Sequence, residues 1–441
     1  MEVKLTTLKN GLRVASVERP QTETVSLGIW VNTGSACETL ERNGISHFVE
    51  HTVFKGTKKR NSLQISEDIE NVGGQTNAYT SREFTAFYAK MLKNDVELAT
   101  DVLTDLIMAP TFDAAELAKE KEVVVQEIKQ TNDDPSDIVY DYFQETAFAN
   151  QALGRSILGP AEKVRSFNAD KLHDYMKHNY AAENMVVAAV GNLNHDEFVK
   201  MVEDRMSGLR EKTDYVKDAQ HYTGGSSIKT RDIEQAQVLL GFEGVPYNDA
   251  DYYPVTVLST LLGGSMSSRL FQEIREKRGL VYTVYSFANA HTGSGMFGIY
   301  AGLNEEEIKQ YVPVVADELK KVVNEYVTDK ELERVKVQLK ASMLMALESS
   351  SSTAEVIARQ HLLYNRVIPV EEIVEKINAI NKDDIQRVAR RLFASKPTYT
   401  LLGNLHDYPS YDIVEKYLRF SADCDIISHK CNNRRCRHVK S

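Results

Sequence analysis

Short strings recur along this chain at a near-constant distance. GNL begins at residue 191 and again at 403, Leu27–Gly28 returns as Leu240–Gly241, and Glu116–Leu117 returns as Glu331–Leu332. The offsets are 212, 213 and 215 residues, and the matches keep their order. A chain with that pattern is built from two similar units, each about the size of a large domain. The polar stretch GLREKTDYVKDAQHYTGGSS, residues 208–227, reads as the connection. We therefore expect a first half at 1–210, a linker at 211–227, a second half at 228–420 and a separate tail at 421–441. The tail, ending CDIISHKCNNRRCRHVKS, is basic and without hydrophobic periodicity, which predicts disorder. Cys424, Cys431, Cys436, His429 and His438 lie in it, but without a CxxC pair they make a poor zinc pattern.

Each half mixes strands and helices. ETVSLGIWVNTG, TAFYAKML and NMVVAAVGNL read as strands; DVELATDVLTDLIM, DAAELAKEKEVVVQEIKQ and ADKLHDYMKHNY have helical spacing. The strands cluster instead of alternating with helices, so the expected class is α+β: a mostly antiparallel sheet backed by helices in each half. Net charge of −10 and a pI near 5.7 argue against a nucleic-acid binder and fit cationic partners. No window approaches 18 consecutive apolar residues, which argues against a membrane span. The N-terminus lacks the basic and apolar regions of a signal peptide, and four cysteines make no disulfide framework. A reducing compartment is the expected location.

ISHFVEHTVFKG, at 45–56, carries the chemistry. His47 and His51 stand at i, i+4 and Glu50 at i+3, so a helix projects all three from one side. Ile45, Phe48, Val49 and Val53 form an apolar stripe on the other, between Gly44 and Gly56. Two imidazoles so spaced can reach one Zn²⁺, and a carboxylate beside them can hold a water and take its proton. These five residues alone leave open a solvated helix face that happens to carry two His and a Glu. A third ligand is wanted, and Glu120 and Glu127 lie two turns apart on one helical face. Glu127 follows Val123–Val124–Val125, an unusual setting for a carboxylate without a partner. No other histidine pair has i, i+4 spacing.

Four strings, GISHFVEHTVFKGT, GGQTNAYTSREFTAFY, EKEVVVQEI and GGSMSSRLFQEIREKRGLVYTVYS, resemble the pitrilysin-type inverzincin metallopeptidases. The resemblance runs from about residue 5 to 405, and favours the branch of mitochondrial processing peptidase β-subunits and their single-chain bacterial relatives. It implies one Zn²⁺ per chain held by His47, His51 and Glu127, the last being 76 positions after His51. It implies that Glu50 is the general base and that Glu120 orients a ligand histidine. It implies two halves facing each other as a clamshell around a chamber. Carrying the repeat offset from the zinc helix reaches Thr260, Gly263 and Gly264, so the second half has no ligands of its own.

The same resemblance makes Asn77 and Ala78 a sheet edge that takes the substrate as an extended strand. It makes Arg275 and Tyr282 a donor pair from the second half that stabilises the oxyanion. Asp134–Pro135 reads as the start of a helix on which Asp137 and Asp141 stand at i, i+4, like charges that a cation between them would relieve. By resemblance these two receive an arginine near the cleaved bond. The implied function is endopeptidase processing of basic, presequence-like peptides. A broad oligopeptidase is the competing enzyme, and a non-catalytic scaffold the competing class, although loss of motif residues marks the scaffolds and all are present here. The implied partners are basic peptides, with a homodimer or a second subunit of the same fold as a further expectation, and the implied location is the bacterial cytoplasm or alternatively the mitochondrial matrix.

Overall fold

The computed structural model describes residues 2–214 and 217–420. The tail at 421–441, with its three cysteines and two histidines, lies outside the described residues, as do Tyr215 and Val216 of the linker. The first half forms β1 (Lys4–Thr7), β2 (Arg13–Glu18), β3 (Thr24–Val31), β4 (Gln75–Thr80), β5 (Thr85–Leu92) and β6 (Met185–Gly191). The second forms β7 (Gly225–Thr230), β8 (Ala236–Glu243), β9 (Thr283–Ala290), β10 (Gly295–Leu303) and β11 (Thr398–Gly403).

The strand orders are β1-β2-β6-β3-β5-β4 and β7-β11-β8-β10-β9. Without β1 the two orders superpose, so the repeat in sequence is a repeat of sheet topology. Each sheet has one parallel pair, β2 with β6 and β7 with β11, and its other neighbours are antiparallel. The GNL strings end the equivalent strands β6 and β11, and the Leu-Gly strings lie in the adjoining β3 and β8. The fold is two-lobed α+β, as the clustering of strands predicts.

The strand MVVAAVG is apolar at every position because β6 is buried on both faces. Val187 and Ala189 join the core of their own half. Val186, Ala188 and Val190 turn the other way, to Ala354, Ile357 and Ala358 on the Ser350–Tyr364 helix of the second half. The exchange is reciprocal. From the first half, the Pro135–Ala147 helix sends Ile138, Val139, Phe143 and Ala147 onto the second sheet, against Leu239, Met296 and Leu402. Gly241 belongs to this contact, since a Cβ there would lie 2.3 Å from the Phe143 ring. The lobes face each other, and these two helices fill the sheet faces turned toward the opposite lobe. The parts of those faces under the helices are core.

The linker differs from its composition. Gly-Gly-Ser-Ser reads as loop, yet β7 begins at Gly225 and pairs with Thr398 of β11. Backbone pairing needs no side-chain signal, which is why composition missed it. Upstream of β7 the chain is strapped down: Thr223 N–H donates to Ala147 O at 2.8 Å and His221 N–H to Gln151 Oε1 at 2.6 Å.

Candidate metal centre

The motif helix runs Ile45–Val53. It starts at Gly44, whose φ of +93° favours glycine, and a Cβ there would meet Leu158 O at 2.5 Å. Ile45, Phe48, Val49 and Val53 are fully buried in the first core. The spacing that buries them leaves His47, Glu50 and His51 on the other side. There the Ala114–Asp133 helix crosses, started by Asp113, which accepts from the N–H groups of Ala115 and Glu116.

Glu127 on that helix faces both histidines. Its Oε1 is 3.6 Å from His47 Nε2 and its Oε2 is 3.4 Å from His51 Nε2. The three candidate ligand atoms lie within 4.8 Å of one another, and among the described residues this is the cluster able to hold a metal ion. One turn-pair earlier, buried Glu120 accepts from His51 Nδ1 at 2.9 Å and pairs with Lys55 Nζ at 2.9 Å. In the neutral ring a proton on Nδ1 would leave Nε2 its lone pair toward Glu127, the tautomer that can ligate.

The electrostatics follow from burial and these partners. Burial alone would lower His51, but Glu120 and Glu127 outweigh it and hold the imidazole protonated, up to about 9. That proton occupies the place a cation would take. His47, deeply buried beside His51, is pushed down, with Glu127 opposing. Burial raises the Glu50 carboxyl, against a Thr80 hydrogen bond and nearby His51. Glu50 Oε2 and Glu127 Oε2 are buried without a hydrogen-bond partner, as is His47 Nδ1.

Asn77 and Ala78 lie on β4, the outer strand of the first sheet, beside the motif helix. The Ala78 N–H donates to the Asn77 side chain at 2.8 Å. Glu127 itself is 40% exposed, less enclosed than the valine run suggests, because Val123 points to solvent while Val124 and Val125 are buried. Asp137 is exposed in the first turn of the Pro135–Ala147 helix, which Asp134 caps by accepting from Ser136 N–H. Asp141 already faces a cation of this chain, Arg82 at 3.5 Å. Arg275 and Tyr282 come together, the guanidinium 5.6 Å from the tyrosine ring and 4.8 Å from Phe271. Neither makes a hydrogen bond, ion pair or ring contact with His47, His51 or Glu127 among the described residues.

Sequence reasoning missed Lys55, Arg82 and Glu38. Lys55, one turn past His51, could have been found from the same helical spacing; Arg82 is 59 positions from Asp141 and has no local signal. Glu38 is a lone acid in a buried stretch, bonded to the start of the motif helix. Burial pushes it up to about 7, against the pull of Asn43, Ser46 and Gly44.

The chain is similar to known proteins over most of its length. Residues 13–161 match the profile described as Insulinase (Peptidase family M16), and residues 166–339 the one described as Peptidase M16 inactive domain. A Bacillus subtilis (strain 168) chain described as an uncharacterized zinc protease, YmxG, is 38% identical over 92% of this chain and all of its own length. The mitochondrial-processing peptidase subunit beta of Mus musculus is 34% identical, covering 96% of this chain and 88% of its own. A protease from Helicobacter pylori, 23% identical, has the same fold, with a TM-score of 0.83 over 91% of this chain and 99% of its own.

Proposed function

This chain belongs to peptidase family M16, the insulinase family, and on that premise we propose that it is a zinc endopeptidase that processes basic, presequence-like peptides with Arg near the scissile bond. The observation that carries the reading is the meeting of His47, His51 and Glu127 within 4.8 Å. Two imidazole nitrogens and one carboxylate are a catalytic zinc set, with a position left for water. Glu127 turns one oxygen toward each histidine, Oε1 toward His47 Nε2 and Oε2 toward His51 Nε2, which suits a ligand shared with both rings.

His47, His51 and Glu127 would hold the zinc, which when bound would supply Lewis-acid chemistry and a water of lowered pKa, toward about 7. Glu50, on the same helix side, takes the proton of the attacking water and passes it to the departing amine. Glu120 holds the His51 ring, and Lys55 holds Glu120. Asn77 and Ala78, on the outer strand β4, accept an extended peptide by backbone pairing. Arg275 and Tyr282, adjacent and with the phenol 70% exposed, supply donors to the peptide backbone and oxyanion.

Glu50→Gln tests the chemistry. It should retain one zinc per chain and lose turnover; a variant that cleaves peptides while carrying that zinc sinks the assignment. Specificity rests on Asp137 and Asp141. Matched peptides with Arg or Ala near the cleaved bond should differ in kcat/KM, and D137N with D141N should erase most of the difference. The Arg82–Asp141 pair favours the second reading, a broad oligopeptidase, for which wild type and double variant would treat both peptides alike.

A further inference from the structure

The two histidines of the metal centre are held differently. His51 has Glu120 on its Nδ1. His47 Nδ1 has no hydrogen-bond partner among the described residues, although the residue is only 6% exposed. Its Nε2 therefore reaches Glu127 by virtue of packing and of where the backbone of the third helical residue lies. That backbone is at a weak point. The helix begins at Gly44, which has no side chain to cap it, and the first N–H groups of a helix have no partner within it.

A carboxylate from upstream takes them. Glu38 Oε2 accepts from Gly44 N–H at 2.7 Å and Oε1 accepts from Ser46 N–H at 2.8 Å. Asn43 Nδ2 donates to Oε2 at 3.0 Å and also to Ser156 O at 2.9 Å. The Arg155 guanidinium donates to the Glu38 backbone carbonyl. Glu38 is 4% exposed, so these protein donors take the place of water. The two backbone bonds flank Ile45 and end one residue before His47.

We infer that Glu38 is a positioning residue of the metal centre, fixing the backbone that carries His47 as Glu120 fixes the ring of His51. The inference rests on the zinc-peptidase reading. A carboxylate at the helix N-terminus also complements the helix dipole, but a charge effect alone would not need each oxygen on a different N–H of the same first turn. Glutamine at this position keeps one acceptor and turns an NH₂ toward a buried N–H, leaving Gly44 or Ser46 unsatisfied.

The test is zinc affinity of the full chain, measured with Zn²⁺ against a chromogenic chelator, beside kinetics and amide exchange. Glu38→Gln should weaken zinc binding at least tenfold, speed exchange at Gly44 and Ser46 at least tenfold in the metal-free chain, and lower kcat with KM within twofold. Amides of the Val96–Met108 helix should keep their rates, which separates this from general loosening. Should that variant not fold, Asn43→Ala, which removes one donor to Glu38, should weaken zinc binding two- to fivefold. A folded Glu38→Gln, or failing that Asn43→Ala, with zinc affinity within 1.5-fold of wild type overturns the inference alone. A wild-type chain that takes up no zinc sinks the peptidase reading and this inference with it.

Discussion

Glu120 divides its carboxylate between two groups, the His51 ring on one oxygen and the Lys55 ammonium on the other, both at 2.9 Å. The lysine lets a buried acid stay ionised; burial raises Glu120, and His51 with Lys55 brings it below the usual carboxylate range. An ionised Glu120 makes His51 a stronger ligand by drawing on its Nδ1 proton. Glu120→Gln keeps an acceptor oxygen but loses the charge, so zinc affinity should fall about 10–100-fold with little change in fold stability. Chelator competition and thermal unfolding on one preparation check this, and unchanged affinity would mean that Glu120 serves packing alone. Under the proposed function the acid–base role falls to a different carboxylate, Glu50, whose test is its loss of turnover with zinc retained.

At the scale of elements, the exchanged helices decide how the chain holds together. The Pro135–Ala147 helix is covalently part of the first half, yet Phe143 is fully buried against the second sheet. Trp30, the single tryptophan, is at the mirror contact, between β3 and the Ser350–Tyr364 helix. Phe143→Ala should cost about 3–5 kcal/mol, the usual range for deleting a buried phenyl ring. Because each half completes the other's core, the loss should reach Trp30. Urea titration followed by tryptophan fluorescence should show its midpoint falling together with the far-UV circular dichroism signal. A fluorescence transition that stays put would mean the halves unfold independently.

Over the whole molecule, the equivalent hairpins β4–β5 and β9–β10 meet at their turns. Glu83 accepts from Thr292 N–H at 3.0 Å and faces His291 Nδ1 at 3.6 Å. Burial alone would raise its pKa; the His291 ring, Lys217 and Thr292 outweigh it and hold the carboxyl at about 2. A folded-state pKa below the unfolded value gives stability that is present above about pH 4.5 and lost as pH falls toward 2. Glu83→Gln should therefore be less stable than wild type at pH 7, by roughly 3 kcal/mol from the size of the shift. The gap should narrow between pH 4.5 and 2. Urea midpoints at pH 7, 4 and 3 check it, and a gap that ignores pH would make the contact purely steric. Arg19 reinforces the junction, donating to Leu347 O at 2.7 Å and Glu348 O at 2.9 Å.

Local periodicity carries only so far along such a chain. It put His47, Glu50 and His51 on one side of a helix and Ile45, Phe48, Val49 and Val53 on the other, because a 3.6-residue period needs no distant partner. The recurring strings likewise revealed two units, since equivalent strands in equivalent sheets face the same packing demands. The start of β7 in Gly-Gly-Ser-Ser could not be read, because a ladder is made of backbone groups that every residue shares. Nor could the meeting of Glu83 with Thr292, of Arg82 with Asp141, or of either exchanged helix with the opposite sheet. Those are contacts between segments 59 to more than 200 residues apart, and nothing in the spacing of either segment encodes the other. Composition and period determined which residues face inward and which three face a common side; the tertiary structure alone decided what stands opposite them, because position in space is set by the packing of both halves at once.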